Sequence, residues 1–176
     1  MKKYILLSFL LFTGFGSFAQ KFAYVDTEYI LQHLPEYKAA IKQLSASSEQ
    51  FQKQLDVKFS EIDEMYKTYQ ADQVLLTDDM RKRRENDIIE KEKAAKEFQR
   101  KTFGPEGDLF QQRIKLLNPI QEKVSKTIAE FAKAKGLDFI FDKGSEATMM
   151  VYASTNFDLS KDVVIKLGYK PGNIDK

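Results

Sequence analysis

The chain has 176 residues, with 28 Lys+Arg against 26 Asp+Glu, one histidine, and neither cysteine nor tryptophan. No disulfide framework and no thiolate or Cys-based metal chemistry is open to it, and so even a charge balance lacks the basic footprint that nucleic-acid binding requires. Its stability must come from an apolar core or from association of copies.

The first segment reads as an export signal. Lys2 and Lys3 form a charged start, Tyr4 to Phe15 an apolar run broken by Ser8, Thr13 and Gly14, and Ser17-Phe18-Ala19 a small-x-small cleavage pattern. The apolar run is shorter than the about 20 residues of a spanning helix. Residues 1–19 are therefore expected to be removed between Ala19 and Gln20 as the chain is exported. Residues 20–176 are formally neutral, because the signal takes Lys2 and Lys3 with it.

Phe22 to Asp26 is a strand-like stretch, and Asp26 or Thr27 can cap a helix that follows it. From Tyr37 the apolar residues Ile41, Leu44, Phe51, Leu55, Phe59, Ile62, Tyr66 and Tyr69 recur mostly at threes, fours and sevens, which predicts one long amphipathic helix. A turn is expected at Leu76-Thr77-Asp78-Asp79, with Thr77 or Asp78 capping a returning helix marked by Met80, Ile88, Ala95, Phe98 and Phe103. Gly104-Pro105-Glu106-Gly107 predicts a kink or break in that helix. Beyond it Phe110, Leu117, Val124 and Phe131 recur at sevens, with Ile114 and Ile128 on the same stripe. Leu137–Asp142 and Thr148–Ala153 read as two more strands joined by a hairpin through Lys143, Gly144 and Ser145. A short helix from Asp158 or Ser160 to Leu167 ends at Gly168.

Helices this long cannot bury themselves and must pair. Residues Glu49–Asp79 hold eight acidic and three basic side chains, and Arg81–Lys101 nine basic and five acidic. An acidic arm folding onto a basic one is favoured, although each exposed ion pair contributes only about a few tenths of a kcal/mol. The predicted fold is α+β and mainly α. A helical-hairpin, coiled-coil arm (36–135, tip near 76–80, break near 104–107) projects from a small β-containing body (20–35 and 136–176).

Chemistry-bearing patterns are scarce. His33 stands alone beside a helix break, where a structural or solvated role is the ordinary one. No nucleophile elbow, phosphate loop or paired metal-ligand spacing occurs. No catalytic, cofactor-binding or metal residue is expected, and the chain does not read as an enzyme. Two features remain. Arg81, Lys82, Arg83 and Arg84 can touch anionic headgroups or acidic segments, though a solvated helix start is the plainer reading, since Glu85, Asp87 and Glu90 follow at once. Phe51, Phe59, Tyr66, Tyr69, Phe98, Phe103 and Phe110 supply more aromatic surface than the seam of a two-helix arm can cover. Those left over would form an adaptable apolar lining.

With that order of elements in hand, the chain resembles the OmpH-like (Skp) family of periplasmic chaperones. FAYVDTEYIL (22–31), KTFGPEGDLFQQR (101–113), LLNPIQEKV (116–124), GLDFIFDKG (136–144) and DLSKDVVIKLG (158–168) carry the likeness. The resemblance implies a homotrimer whose strands close a shared β-body, with Phe22, Tyr24, Phe139, Phe141 and Val151 in it. Three helical arms then surround a cavity that holds unfolded outer-membrane β-barrel proteins without ATP. The family's best-known member is strongly basic and this mature chain is neutral, so capture here would lean on apolar contact and confinement, with weak membrane contact at most. The competing reading is an exported coiled-coil scaffold that docks one folded envelope partner.

Overall fold

A computed structural model describes residues 20–145, 148 and 150–172. The expected signal segment lies outside the described residues. The elements run β1 (Phe22–Val25), α1 (Thr27–Gln32), α2 (Pro35–Asp72), α3 (Asp78–Phe103), α4 (Asp108–Lys135), β2 (Phe139–Asp142), a 3-10 turn (Thr155–Phe157) and α5 (Ser160–Lys166).

β1 and β2 pair in parallel, Phe22 against Phe139 through Val25 against Asp142. Parallel neighbours need a long crossover, and here the whole helical arm is that crossover. Side chains alternate across the ribbon. Ala23, Val25 and Ile140 turn to the core, where they meet Ile30, Leu34, Leu117, Val124, Val163 and Val164. Phe22, Phe139 and Phe141 face outward and are about half exposed, while Tyr24 is buried. The bulkier aromatics thus take the open face, and the small and β-branched residues fit the narrow space above α1 and α5.

Local chemistry fixes each junction of the body. Asp26 caps α1 by accepting from the Tyr29 amide at 2.9 Å, as the sequence predicts. Asp142 at the end of β2 accepts from the Thr27 amide (3.1 Å) and hydroxyl (2.7 Å). Ser160 accepts from the Asp26 amide at 2.8 Å and donates to Asp158 at 2.5 Å. Gly136 ends α4 at φ 62°, a left-handed conformation that favours glycine. The reversal lets Leu137 donate back to the Ala132 carbonyl and join the core.

The third strand and its hairpin require correction. At its described residues Thr148–Ala153 forms no strand, and β2 pairs with β1 instead. The cause is visible at the turn. Lys143 donates to the Val25 carbonyl at 2.7 Å and Gly144 to the Asp142 carboxylate at 2.9 Å. These bonds draw the chain over the start of α1 rather than back along the free edge of β2. Val151 and Tyr152 are left 94% and 85% exposed.

The arm follows the expected plan more closely. α2 is 38 residues without interruption, about 57 Å at 1.5 Å per residue. The turn comes slightly earlier than predicted, at residues 73–77. Thr77 caps α3 through the Met80 amide, and Arg81 reaches back to the Gln73 carbonyl at 3.4 Å. The return helix breaks at Gly104–Gly107, a tight turn closed by the Gly107 amide on the Gly104 carbonyl at 2.9 Å. A Cβ at Gly104 would stand 2.3 Å from the Arg100 carbonyl oxygen, and one at Gly107 2.6 Å from that of Lys101. Close backbone approach, not φ, demands both glycines.

The seam is built from Leu55, Ile62 and Tyr69 on α2 against Ile88, Ala95 and Thr102 on α3, each set at sevens, then Ala40 against Leu117 and Ile120 on α4. Thr102 is 1% exposed and its hydroxyl has no hydrogen-bond partner among the described residues. The expected charge zipper is mostly absent. Among the described residues Glu61–Lys91, at 3.6 Å, is the ion pair that joins α2 to α3. Tyrosines of the acidic arm instead donate to acids of the basic arm, Tyr66 to Glu92 at 3.2 Å and Tyr69 to Glu85.

At the base of the arm Glu36 accepts from Lys123 of α4 (2.8 Å) and from Tyr169 beyond α5 (2.7 Å). Burial acts to raise the Glu36 carboxyl, but the bonds from Lys123 and Tyr169 outweigh it and hold it below the usual 4.5. The bond to Glu36 pushes both Lys123 and Tyr169 up.

Two outcomes follow. A carboxyl lowered in the folded state contributes stability above its ordinary value and loses it as pH falls through the lowered one. Chemical denaturation of Glu36→Gln should therefore show a loss on the order of 1 kcal/mol at pH 7, and the gap to wild type should close below about pH 4. Thr102→Val replaces a stranded hydroxyl with a methyl and should stabilise the arm by about 1 kcal/mol in the same assay. Gly107→Ala should destabilise it.

Candidate functional site

A two-helix arm has one seam, and residues on either side of it lie open. At about 100° per residue, Phe59 and Tyr66 stand one turn beyond the seam residues Leu55 and Ile62, displaced to the same side. The Tyr66–Glu92 bond identifies the matching side of α3. Phe103 lies there, and the same turn of the helix brings Phe110 and Ile114 of α4 and Ile41 of α2 to it. All six of Ile41, Phe59, Tyr66, Phe103, Phe110 and Ile114 are substantially exposed. The first side of the arm thus carries exposed aliphatic and aromatic side chains at intervals from near the body past the break.

The second side is chemically different. A shallow groove there is lined by Lys58, Glu61, Met65, Asp87, Glu90, Lys91 and Ala94. Glu61 and Lys91 bridge it, and Lys58 lies 5.3 Å from the centre of the Phe98 ring. The second side of the hairpin thus carries an ion pair and a lysine–ring contact across the seam, whereas the first carries the six exposed apolar side chains, with the Tyr66–Glu92 bond among them.

The seven aromatics singled out from the sequence divide accordingly. Tyr69 is buried in the seam with its hydroxyl on Glu85. Phe51 and Phe98 are half-buried and meet edge to face at 6.5 Å. Phe59, Tyr66, Phe103 and Phe110 remain on the open side. The aliphatic members Ile41 and Ile114 were not among the sequence candidates. Their offset from the seam heptad is the signal that marks them, and it is readable only once the seam itself is known.

At the tip Val74 and Leu75 are 91% and 84% exposed, with Met80 beside them. Arg81 is turned inward by the Gln73 carbonyl and by Asp78 at 3.8 Å, whereas Lys82, Arg83 and Arg84 stay in solvent. No helix among the described residues is long and apolar enough to cross a membrane.

In the body the outward aromatics Phe22, Phe139 and Phe141 form a second unpartnered apolar face, with Phe22 stacked on Phe157 at 5.1 Å. The free edge of β2 adjoins it, while β1 has β2 on one edge and a bridge from Tyr24 to Asp158 on the other. Tyr24 lies beneath this region, and burial, then the nearby Asp158, push its hydroxyl up.

Comparison with known proteins agrees with this geometry. Residues 21–167 match the model of the OmpH family, described as outer membrane protein (OmpH-like). No curated protein matches the chain. Among solved structures, one of a candidate outer membrane chaperone (OmpH-like) from Caulobacter crescentus CB15 superposes with a TM-score of 0.67. It is 16% identical and covers 92% of each chain. At that identity the likeness concerns the fold alone. Since the family model spans most of the sequence, the chain belongs to the OmpH-like outer membrane protein family.

Proposed function

We propose that this protein is an ATP-independent holding chaperone of the periplasm, which keeps unfolded outer-membrane β-barrel proteins from aggregating before insertion. The observation that carries the reading is the one-sided arm. Exposed apolar side chains spaced along one side of the arm suit many extended, partly apolar segments bound weakly at once, rather than one folded partner bound tightly. Membership of the OmpH-like family and the fold shared with a candidate outer membrane chaperone support the same assignment.

The holding unit is a homotrimer. A two-stranded ribbon with an open edge and a face of exposed phenylalanines is an incomplete body, and open edges are normally paired or covered. Segment 148–153, with Val151 and Tyr152 in solvent, is long enough to serve as the missing strand against a neighbouring copy. Closing three bodies on one axis lets the three arms enclose a space, with their apolar sides available to its contents. Nothing in this scheme spends ATP, since release needs only a client that finds a better-packed state in the membrane.

The test is suppression of aggregation when a urea-unfolded β-barrel protein is diluted into buffer with the mature chaperone. Light scattering should fall to baseline near one trimer per client, equally with and without ATP. Phe59→Ala alone should cost less than about twofold. Replacing Ile41, Phe59, Phe103 and Phe110 together by Ser should raise the required chaperone at least tenfold, with helicity intact. Full activity in that fourfold variant, or loss of activity on the single change, would sink the reading and favour a scaffold with one specific partner.

A further inference from the structure

The last described residues do more than trail from α5. After Gly168 the chain crosses from the body to the base of the arm, and two side chains one turn apart, Tyr29 of α1 and His33 at its C-terminal cap, hold the backbone of Gly172. The Tyr29 hydroxyl donates to the Gly172 carbonyl at 2.9 Å. The Gly172 amide donates to Nε2 of His33 at 2.9 Å. The other ring nitrogen, Nδ1, lies 2.7 Å from the Tyr29 carbonyl. These contacts assign the tautomer. Nε2 accepts and so carries no proton, and Nδ1 must donate. The Tyr29 and His33 rings lie 4.3 Å apart and together form the seat. Three residues earlier in the strap, Tyr169 is fastened to Glu36 in the first turn of α2.

We propose that residues 169–172 form a strap that fixes the arm against the body at the Leu34–Pro35 elbow, and that protonation of His33 releases its end. Only a neutral imidazole can accept the Gly172 amide. A proton on Nε2 would set two donors against each other at 2.9 Å. Among the described residues the Gly172 carbonyl, 3.2 Å from Nε2, can accept from the protonated ring beside Tyr29, but that bond gives the Gly172 amide no acceptor in place of Nε2. The amide must then turn to solvent. Histidine is the side chain that ordinarily changes charge between about pH 5 and 8, and His33 is the only one in the chain.

The other titratable or charged groups on the elements that meet here are Glu28 and Tyr29 on α1, Glu36 and Lys38 on α2, Lys123 on α4, Asp158 before α5, and Tyr169 and Lys170 on the strap. Of these Glu36 is held low by its bonds from Lys123 and Tyr169 against the effect of burial, Tyr29 is raised by burial and then by Asp158, and Lys123 and Tyr169 are raised by their bond to Glu36. The device is independent of what the arms hold.

The experiment is amide hydrogen exchange of Gly172, read by NMR on the mature protein labelled with 15N-glycine and corrected for intrinsic exchange, at pH 8 and pH 5.5. Both values lie above the titration of Glu36. Protection of Gly172 should fall at least tenfold at the lower pH, while Gly144, which follows β2 and packs against the start of α1, is unchanged. His33→Ala should show the released level at both. Equal protection in wild type at the two pH values, or a His33→Ala variant still protected at pH 8, overturns the proposal. If His33→Ala also exposes Gly144, and so disturbs the body, His33→Gln decides. A response without pH dependence supports the switch, and a drop like that of wild type refutes it.

Discussion

Everything distinctive about this molecule depends on a limit of packing two helices. Helices α2 and α3 touch along one line, so each can bury only about one residue in every seven completely, and Leu55, Ile62 and Tyr69 against Ile88, Ala95 and Thr102 occupy that line. Apolar side chains beyond this number cannot be buried within the arm. A globular protein would add a third helix to cover Phe59, Tyr66 and Phe103. Here no described element does, and the excess remains as surface. The narrow seam that holds the arm together is thus also the reason that apolar side chains stay exposed along it.

The seam is also uneven. Its distal part is closed by aromatic rings and by tyrosine–glutamate bonds, and its proximal part by aliphatic residues merging with the body core. Between them lie Thr102, buried without a partner, and the Gly104–Gly107 turn, while α2 runs past without a break. One turn back from Phe51 on α2 stand the half-buried Ser47 and Ser48. Apolar content is thus thinnest where the return helix is interrupted, so the arm is two packed sections carried on one continuous rod. The base is held differently again, by the Glu36–Lys123–Tyr169 cluster and by the seat that His33 and Tyr29 make for the strap.

Much of this was legible in the sequence where local chemistry decides. Asp26 and Thr77 as caps, the glycine-proline break, the heptads around Leu117 and Val124, and the stop at Gly168 are properties of short stretches. Information failed where distant segments compete for the same partner. TMMVYA has the composition of a strand, yet Asp142 spends its carboxylate on α1 and leads the chain away, and β1, more than a hundred residues earlier, takes the ribbon edge. The net charges of the two arms correctly suggested attraction but not its form, because tyrosine hydroxyls reach across the seam where lysines prefer water. The division of the aromatics into seam and surface required knowing that Thr102, a polar residue, holds a seam position.

The central claim is that the two sides of the arm differ in what they bind. Site-specific photo-crosslinking reads this directly, with a probe placed in turn at Phe59, Phe103 and Phe110 on the apolar side and at Glu61, Asp87 and Glu90 on the charged side, in the presence of an unfolded β-barrel protein. The account predicts strong crosslinks from the first three positions and few from the last three, with many sites marked along the client. Equal yields from both sides, or crosslinks confined to one short client segment, would contradict it.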